Sequence, residues 1–296
     1  MGAGADAVET WEHQGRLFDL AGDRVFVLDA GGPGAGVGRP PLLVLHGFPS
    51  SSFDFRHVLP ALADGRRVVL FDFLGFGVSD KPDRRYGVRA AADTAVDVIT
   101  AVGLAGATVD LLTHDMGDSV GGELLARDLD GDLSFTIGRR VLTNGSIYLD
   151  LAQLTAGQQL LLSLPDEPTD LVGEDGFRAG LAGTFAPGHP ASDDELEGQW
   201  ILASRGDGHR LLPRTIRYIE DRRAEESRYT GAIESHPSPL GVVWGDLDPV
   251  AVHAMTDRLL ERRPGTPRTT LGGVGHYPMV EDPAGFAAGV LAHLDG

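Results

Sequence analysis

Cysteine is absent from the 296 residues. That excludes a disulfide framework, a thiolate nucleophile and any cysteine-built metal site. Lysine occurs once, at Lys81, and every other basic residue is arginine. A phosphate-binding loop or a Schiff-base lysine therefore has no place outside that position. Basic residues of both kinds are few, 25 against 43 acidic ones, for a formal charge of −18. A surface that negative repels phosphate backbones and anionic lipid heads, so neither nucleic acid nor membrane is an expected partner. No apolar stretch approaches the ~18 residues of a membrane span. The opening MGAGADAVETWEHQG has neither the basic start nor the apolar run of an export signal. A cytoplasmic protein is the expectation.

What is present is an alternation. The runs Arg24–Leu28, Leu42–Leu45, Arg67–Phe71, Thr108–Leu112, Arg139–Leu142, Gly241–Trp244 and Arg268–Leu271 read as strands. Several are continuously apolar, as suits parallel strands covered on both faces. Helical patterns separate them near Phe53–Ala63, Val88–Val102, Asp118–Asp128, Val252–Arg262 and Pro283–Leu294. Strand and helix in turn predict an α/β fold with a doubly wound, mostly parallel sheet. The rhythm stops near Tyr148 and resumes after Thr230. Helical patterns at Leu151–Leu164, Asp193–Ser204 and Leu211–Ala224, with Pro- and Gly-rich joints, fill the gap. We read residues 1–147 and 232–296 as one core and 148–231 as a helical cap over the sheet's carboxyl edge, where ligands of such sheets bind. The stretch Gly31–Gly38 carries a G-x-G pattern. It leads into Arg39-Pro40-Pro41 and a strand rather than into a helix, so it reads as a connecting loop.

Four segments carry chemistry. In Thr113-His114-Asp115-Met116-Gly117 an apolar strand ends and a Gly-rich helix begins within a few residues. This is the small-x-nucleophile-x-small turn, with Asp115 at its apex. The helix N-terminus favours an ionised carboxylate there. Such a carboxylate attacks carbon and forms an alkyl ester on the protein. In His46-Gly47-Phe48-Pro49 the glycine permits close backbone approach, and the N–H groups of Phe48 and Met116 are candidates for an oxyanion hole. His46 itself reads as a structural loop residue. Trp244-Gly245-Asp246-Leu247-Asp248-Pro249 is an acidic turn after a strand, and Gly275-His276-Tyr277-Pro278 presents one histidine after the last strand. His276 is the candidate base and Asp248 its orienting acid, preferred over Asp246 for its offset from the strand end. Ser119 lies on the helix rather than the turn, which excludes a serine nucleophile. Asp118 reads as a helix-dipole partner and His189 as an exposed loop residue. No H-E-x-x-H or similar spacing exists, so no metal and no cofactor are expected.

HGFPSSSFDFR, FDFLGFGVSDKP, THDMGDSVG, WGDLDPV and GHYPMVEDP, in that order, resemble the epoxide hydrolase and haloalkane dehalogenase branch of the α/β hydrolases, closest to the mesoderm-specific-transcript-like subfamily. The resemblance runs from about residue 40 to the C-terminus and is weakest in the cap. It implies the α/β-hydrolase fold and the chain order nucleophile, acid, histidine met by Asp115, Asp248 and His276. Asp72, Gly75, Gly77 and Ser79 belong to the shared pattern and are assigned to loop shape. Some relatives carry the acid after the preceding strand, near Asn144, where this chain has no carboxylate. Dehalogenases bind the departing halide with a Trp after the nucleophile and often an Asn in the oxyanion loop; here stand Met116 and Phe48. Trp200 in the cap is a substitute donor. Epoxide hydrolases use cap tyrosines to protonate the opened ring. Tyr218, in Arg217-Tyr218-Ile219-Glu220-Asp221-Arg222, resembles one of them, with Tyr148 and Tyr229 as weak seconds. The resemblance thus implies an epoxide hydrolase acting on a small, largely apolar electrophile. The alternatives are a haloalkane dehalogenase, or a ligand-binding protein with vestigial chemistry.

Overall fold

The computed structural model describes residues 2–31 and 38–296. The connecting-loop reading of Gly31–Gly38 lies outside it apart from its ends. Eight strands form one sheet: β1 (Arg16–Leu20), β2 (Asp23–Ala30), β3 (Leu42–Leu45), β4 (Val68–Phe71), β5 (Thr108–His114), β6 (Thr136–Thr143), β7 (Leu240–Gly245) and β8 (Arg268–Leu271). Their order is β1-β2-β4-β3-β5-β6-β7-β8. Neighbours from β4 to β8 run parallel, whereas β1 and β2 form an antiparallel hairpin that joins β4 along its edge. β3, β4 and β7 are buried at every position, which is why they read as unbroken apolar runs. β1 escaped the sequence reading because it is an edge strand with no buried residue and charges at Arg16 and Asp19.

The core helices are α1 (Ala3–Glu12), α2 (Leu59–Leu62), α3 (Val88–Ala101) and α4 (Met116–Asp130). Between β6 and β7 the described elements are helical: α5 (Ala156–Ser163), α6 (Glu174–Ala182), α7 (Asp193–Ser204), a 3-10 segment (Arg205–Leu211), α8 (Leu212–Thr215), α9 (Tyr218–Ala224) and α10 (Glu226–Ser235). The chain closes with α11 (Ala254–Arg262), α12 (Pro278–Glu281) and α13 (Pro283–Asp295). The single helix expected over Leu211–Ala224 is broken into α8 and α9. The segment expected to be helical over Phe53–Ala63 begins as a 3-10 turn, Ser52–His57, before α2. No helix among the described residues is long and apolar enough to cross a membrane.

From β3 the chain steps to β4 on one side, then crosses back past β3 to β5 on the other. The crevice at that switch point, at the strands' carboxyl ends, is where such sheets bind ligands. His46-Gly47-Phe48, Asp115, Asn144, Asp248 and His276 follow β3, β5, β6, β7 and β8 onto that rim.

Candidate active site

Asp115 joins β5 to α4 with φ 48° and ψ −111°. For a non-glycine residue this is left-handed backbone, costing about 1–3 kcal/mol and tolerated where the surroundings impose it. The turn lifts the carboxylate over the sheet rim. Its Oδ2 accepts a hydrogen bond from the Phe48 N–H at 2.9 Å. Its Oδ1 is buried without a partner and lies 4.0 Å from His276 Nε2. Gly47 makes this approach possible: a Cβ there would stand 2.7 Å from Asp115 Cβ and 2.9 Å from His114 Nδ1.

His276 Nδ1 meets Asp248 Oδ2 at 2.8 Å. The other oxygen of Asp248 accepts from the N–H groups of Val250 and Ala251. Burial pulls the imidazole down, but the Asp248 charge and hydrogen bond, with Asp115 behind them, outweigh it and set His276 at about 9. Asp246 instead points outward, where its Oδ1 accepts from the Gly273 N–H. The acid facing the histidine is Asp248.

Several supports were not legible in the sequence. Asn144, also left-handed at φ 44°, donates from Nδ2 to Asp248 Oδ2 at 2.8 Å and to the Gly275 carbonyl, and accepts from the Gly245 N–H. It is no acid, yet it holds one. Glu281 accepts from the N–H groups of Gly275, Tyr277 and Ala186, so it ties the histidine turn to the cap. His114 Nε2 bonds the His276 carbonyl at 2.8 Å. Burial and the nearby His276 lower His114 to about 4 and keep it neutral. The only hint of these roles was position, next to a strand end or inside the GHYPMVEDP segment.

His46 is the loop residue expected: Nε2 accepts from the Phe73 N–H, Nδ1 bonds the Gly47 carbonyl, and burial lowers its pKa. Asp72 and Ser79 shape their loop through bonds to Ser52, Val78 and Phe26. Asp118 departs from expectation. It is buried, accepts from the Thr113 hydroxyl, and is pushed well above the carboxylate range by burial and then by Asp115. Burial thus works against the helix-dipole role expected of it.

The cap completes the enclosure. Tyr218 is 1 % exposed, its ring 6.0 Å from that of Phe48. Burial, followed by the Asp115 charge, holds its phenol well above the usual range. Tyr277 adds a second buried phenol that sequence reasoning passed over; it stacks on Phe185 at 5.2 Å. Tyr148 instead donates to Glu234, and Tyr229 packs on Gly122 of α4. Trp200, the substitute donor, sits away from the cavity wall. It packs on Phe177 and His209 and does not line the cavity of about 180 Å³ that opens on Phe48, His276 and Tyr277. That cavity is walled by Leu161, Phe177, Leu181 and Leu212 from the cap. Among the described residues no group of three or more His, Asp or Glu side chains is placed to hold a metal ion.

The alpha/beta hydrolase family model matches residues 42–289. The chain belongs to the alpha/beta hydrolase family. LipZ of Mycobacterium tuberculosis is 44% identical over 290 residues, covering 97% of this chain and 98% of LipZ. The mesoderm-specific transcript homolog protein of Bos taurus is 34% identical over 302 residues, 98% of this chain and 88% of that protein. A haloalkane dehalogenase of Psychrobacter cryohalolentis is 29% identical over 267 residues, 86% and 82% of the two chains. Among solved structures, the epoxide hydrolase CorEH shares the fold with a TM-score of 0.72 at 17% identity, over 95% of this chain and 98% of that one.

Proposed function

We propose that this hydrolase opens small, largely apolar epoxides through an ester on Asp115. One observation carries the reading: the Asp115 carboxylate has one oxygen held by the Phe48 N–H and the other unpartnered, beneath the buried Tyr218 phenol. The free oxygen attacks a ring carbon, and Tyr218 gives its proton to the oxygen released. Esterification removes the Asp115 charge, one of the causes that hold His276 high. The imidazole then falls toward the range in which it accepts a proton from water. Water attacks the ester carbonyl, whose oxyanion is met by the Phe48 and Met116 N–H groups. The protons balance through water. Once the ester has formed, His276 gives up its proton and the Tyr218 phenolate takes one up. His276 then takes one proton from the attacking water, and the other leaves on the released alcohol oxygen, so the diol departs with Asp115, Tyr218 and His276 restored.

The dehalogenase reading has a relative in its favour, but Met116 and Phe48 offer a halide no side-chain N–H, and Trp200 stands behind Phe177. The apolar wall of Leu161, Phe177, Leu181 and Leu212 fits an apolar substrate. The test is His276→Ala with an epoxide panel. Ester formation needs only the carboxylate, so mass spectrometry should find a stable adduct on the peptide carrying Asp115. An adduct on Ser119, or sustained turnover, would sink the mechanism.

A further inference from the structure

Among the described residues, the buried arginines are hydrogen-bonded with one exception. Arg66 donates to Pro40, Asp110 and Asp295. Arg140 donates to two carbonyls at the end of α10. Arg217 donates to Pro213, Leu162, Leu164 and Glu220. Arg222 is 3 % exposed, yet its Nε and Nη1 have no partner, and no carboxylate among the described residues lies within 4.0 Å of its guanidinium. The acids next to it in the chain, and Asp118, are otherwise engaged. Asp221 takes Arg85 and the Val88 N–H, and Glu225 takes Arg89. Asp118 is bonded by Thr113 and held toward its neutral form. A buried guanidinium without a counter-charge is costly.

Its position gives the cost a use. Arg222 sits one helical turn after Tyr218 on α9, with Cζ 5.7 Å from the centre of the Tyr218 ring. Tyr218 is itself fully enclosed, packed on Phe48 and against Asp115. In the reaction proposed above, on which this rests, the phenol loses its proton as the ring opens, and a negative charge appears on α9. We infer that Arg222 is the positioning residue for this acid: its unpaired guanidinium finds its counter-charge in the Tyr218 phenolate and so eases proton transfer to the opening oxygen. A charge fixed in place before the reaction and unpaired until the transition state selectively lowers the barrier. The fields on the phenol already oppose one another, Asp115 raising its pKa and Arg222 lowering it.

Two measurements test this, and the first needs no substrate. Tyr218 is replaced by a trifluorotyrosine, which ionises where the protein stays folded, and its phenolate absorbance is titrated. A unit charge about 6 Å away in an effective dielectric of about 20 shifts an ionisation by about 1–2 pH units. Arg222→Met should raise the phenol's pKa by that amount and Arg222→Lys should restore most of it. No shift overturns the inference and leaves Arg222 as a structural neighbour of Asp118. The second measurement is single-turnover ester formation from an aryl epoxide in the His276→Ala background. Arg222→Met should slow it about 10–100-fold, while hydrolysis of a preformed ester in the His276-intact enzyme stays within about twofold. Equal slowing of both steps would mark a merely structural role and overturn the inference. Should Arg222→Met not fold, Arg222→Gln takes its place in both arms. If the wild type forms no ester with any epoxide, the epoxide reading fails, and the phenol titration alone decides the role of Arg222.

Discussion

The sheet rim and the cap meet at one cavity but are built on opposite terms. On the rim, polar groups are held by several bonds each. Asp248 takes two backbone N–H groups, Asn144 and His276, and Glu281 gathers three N–H groups around the histidine turn. In the cap, the cavity wall is chiefly Leu161, Phe177, Leu181 and Leu212, with Thr155, Gln158 and Thr184 among them, and Tyr218 and Arg222 are buried outside that lining. Chemistry needs side chains fixed to fractions of an ångström, which strands and backbone bonds supply. Selection by an apolar wall needs only shape and area. Substitutions on the rim should therefore strike kcat, and those in the cap wall should strike KM.

The largest effect belongs at the turn apex. Asp115→Asn keeps the shape and the Phe48 contact but removes the proposed nucleophile, so turnover should fall by at least about 10⁴-fold with little change in melting temperature. The same variant bears on His276. Without the Asp115 charge the imidazole should titrate below its wild-type value of about 9, readable by NMR of the ring. An unchanged titration would break the link between ester formation and base activation.

Next is Asp248→Asn, expected to slow turnover by about 10²–10⁴-fold because the imidazolium loses its partner. Asp246→Asn should stay within about threefold, since it removes one exposed bond to Gly273. Reversed effects would overturn the assignment. A stability signature accompanies Asp248. The His276 pKa is raised on folding, so its contribution is complete below the unfolded value near 6.5 and fades as pH rises through about 9. Asp248→Asn should thus destabilise the protein more at pH 6 than at pH 10 in denaturant titrations.

This division also explains what could be read in advance. The buried parallel strands were visible because β3, β4 and β7 are apolar at nearly every position, and the motifs stand at their ends, so the meeting of Asp115, Asp248 and His276 on one rim could be expected too. Asn144, Glu281 and His114 were not, because their roles depend on which loops meet across the rim, a property of tertiary contact. The cap gave least. α6 and α10 went unseen, and the Leu211–Ala224 pattern split at Ile216 and Arg217. Packing onto the rim, rather than local periodicity, sets those boundaries.

Tyr218→Phe is the cap substitution that should behave like one on the rim. It keeps the ring against Phe48 and removes the proton, so epoxide opening should slow by about 10²-fold, with KM and any bromide release from a matched bromoalkane nearly unchanged. No effect on epoxide turnover would assign the proton to another group, and Tyr277 would be examined next. Leu161→Ala, by contrast, should leave kcat alone and raise KM for apolar epoxides by about 3–10-fold, in line with the apolar contact removed.

The smallest effect is expected from Trp200→Phe, and it is the one that tests the boundary between the two regions. Trp200 is the cap residue whose side-chain N–H offered the best substitute for a missing halide donor. The structure sets its ring 5.6 Å from that of Phe177 and 5.2 Å from that of His209, and Phe177 stands in the cavity wall in its place. An N–H in that position packs the cap without touching a leaving group. Phenylalanine retains most of the ring contact, so epoxide turnover should change by less than about twofold and stability by about 1 kcal/mol or less. A donor lost from a transition state would instead cost about 2–4 kcal/mol, a hundredfold or more in rate. The two outcomes are too far apart to confuse. If Trp200→Phe cut bromide release a hundredfold while sparing the epoxide, the cap would reach the leaving group from a different helix than α9, and the dehalogenase reading would move ahead.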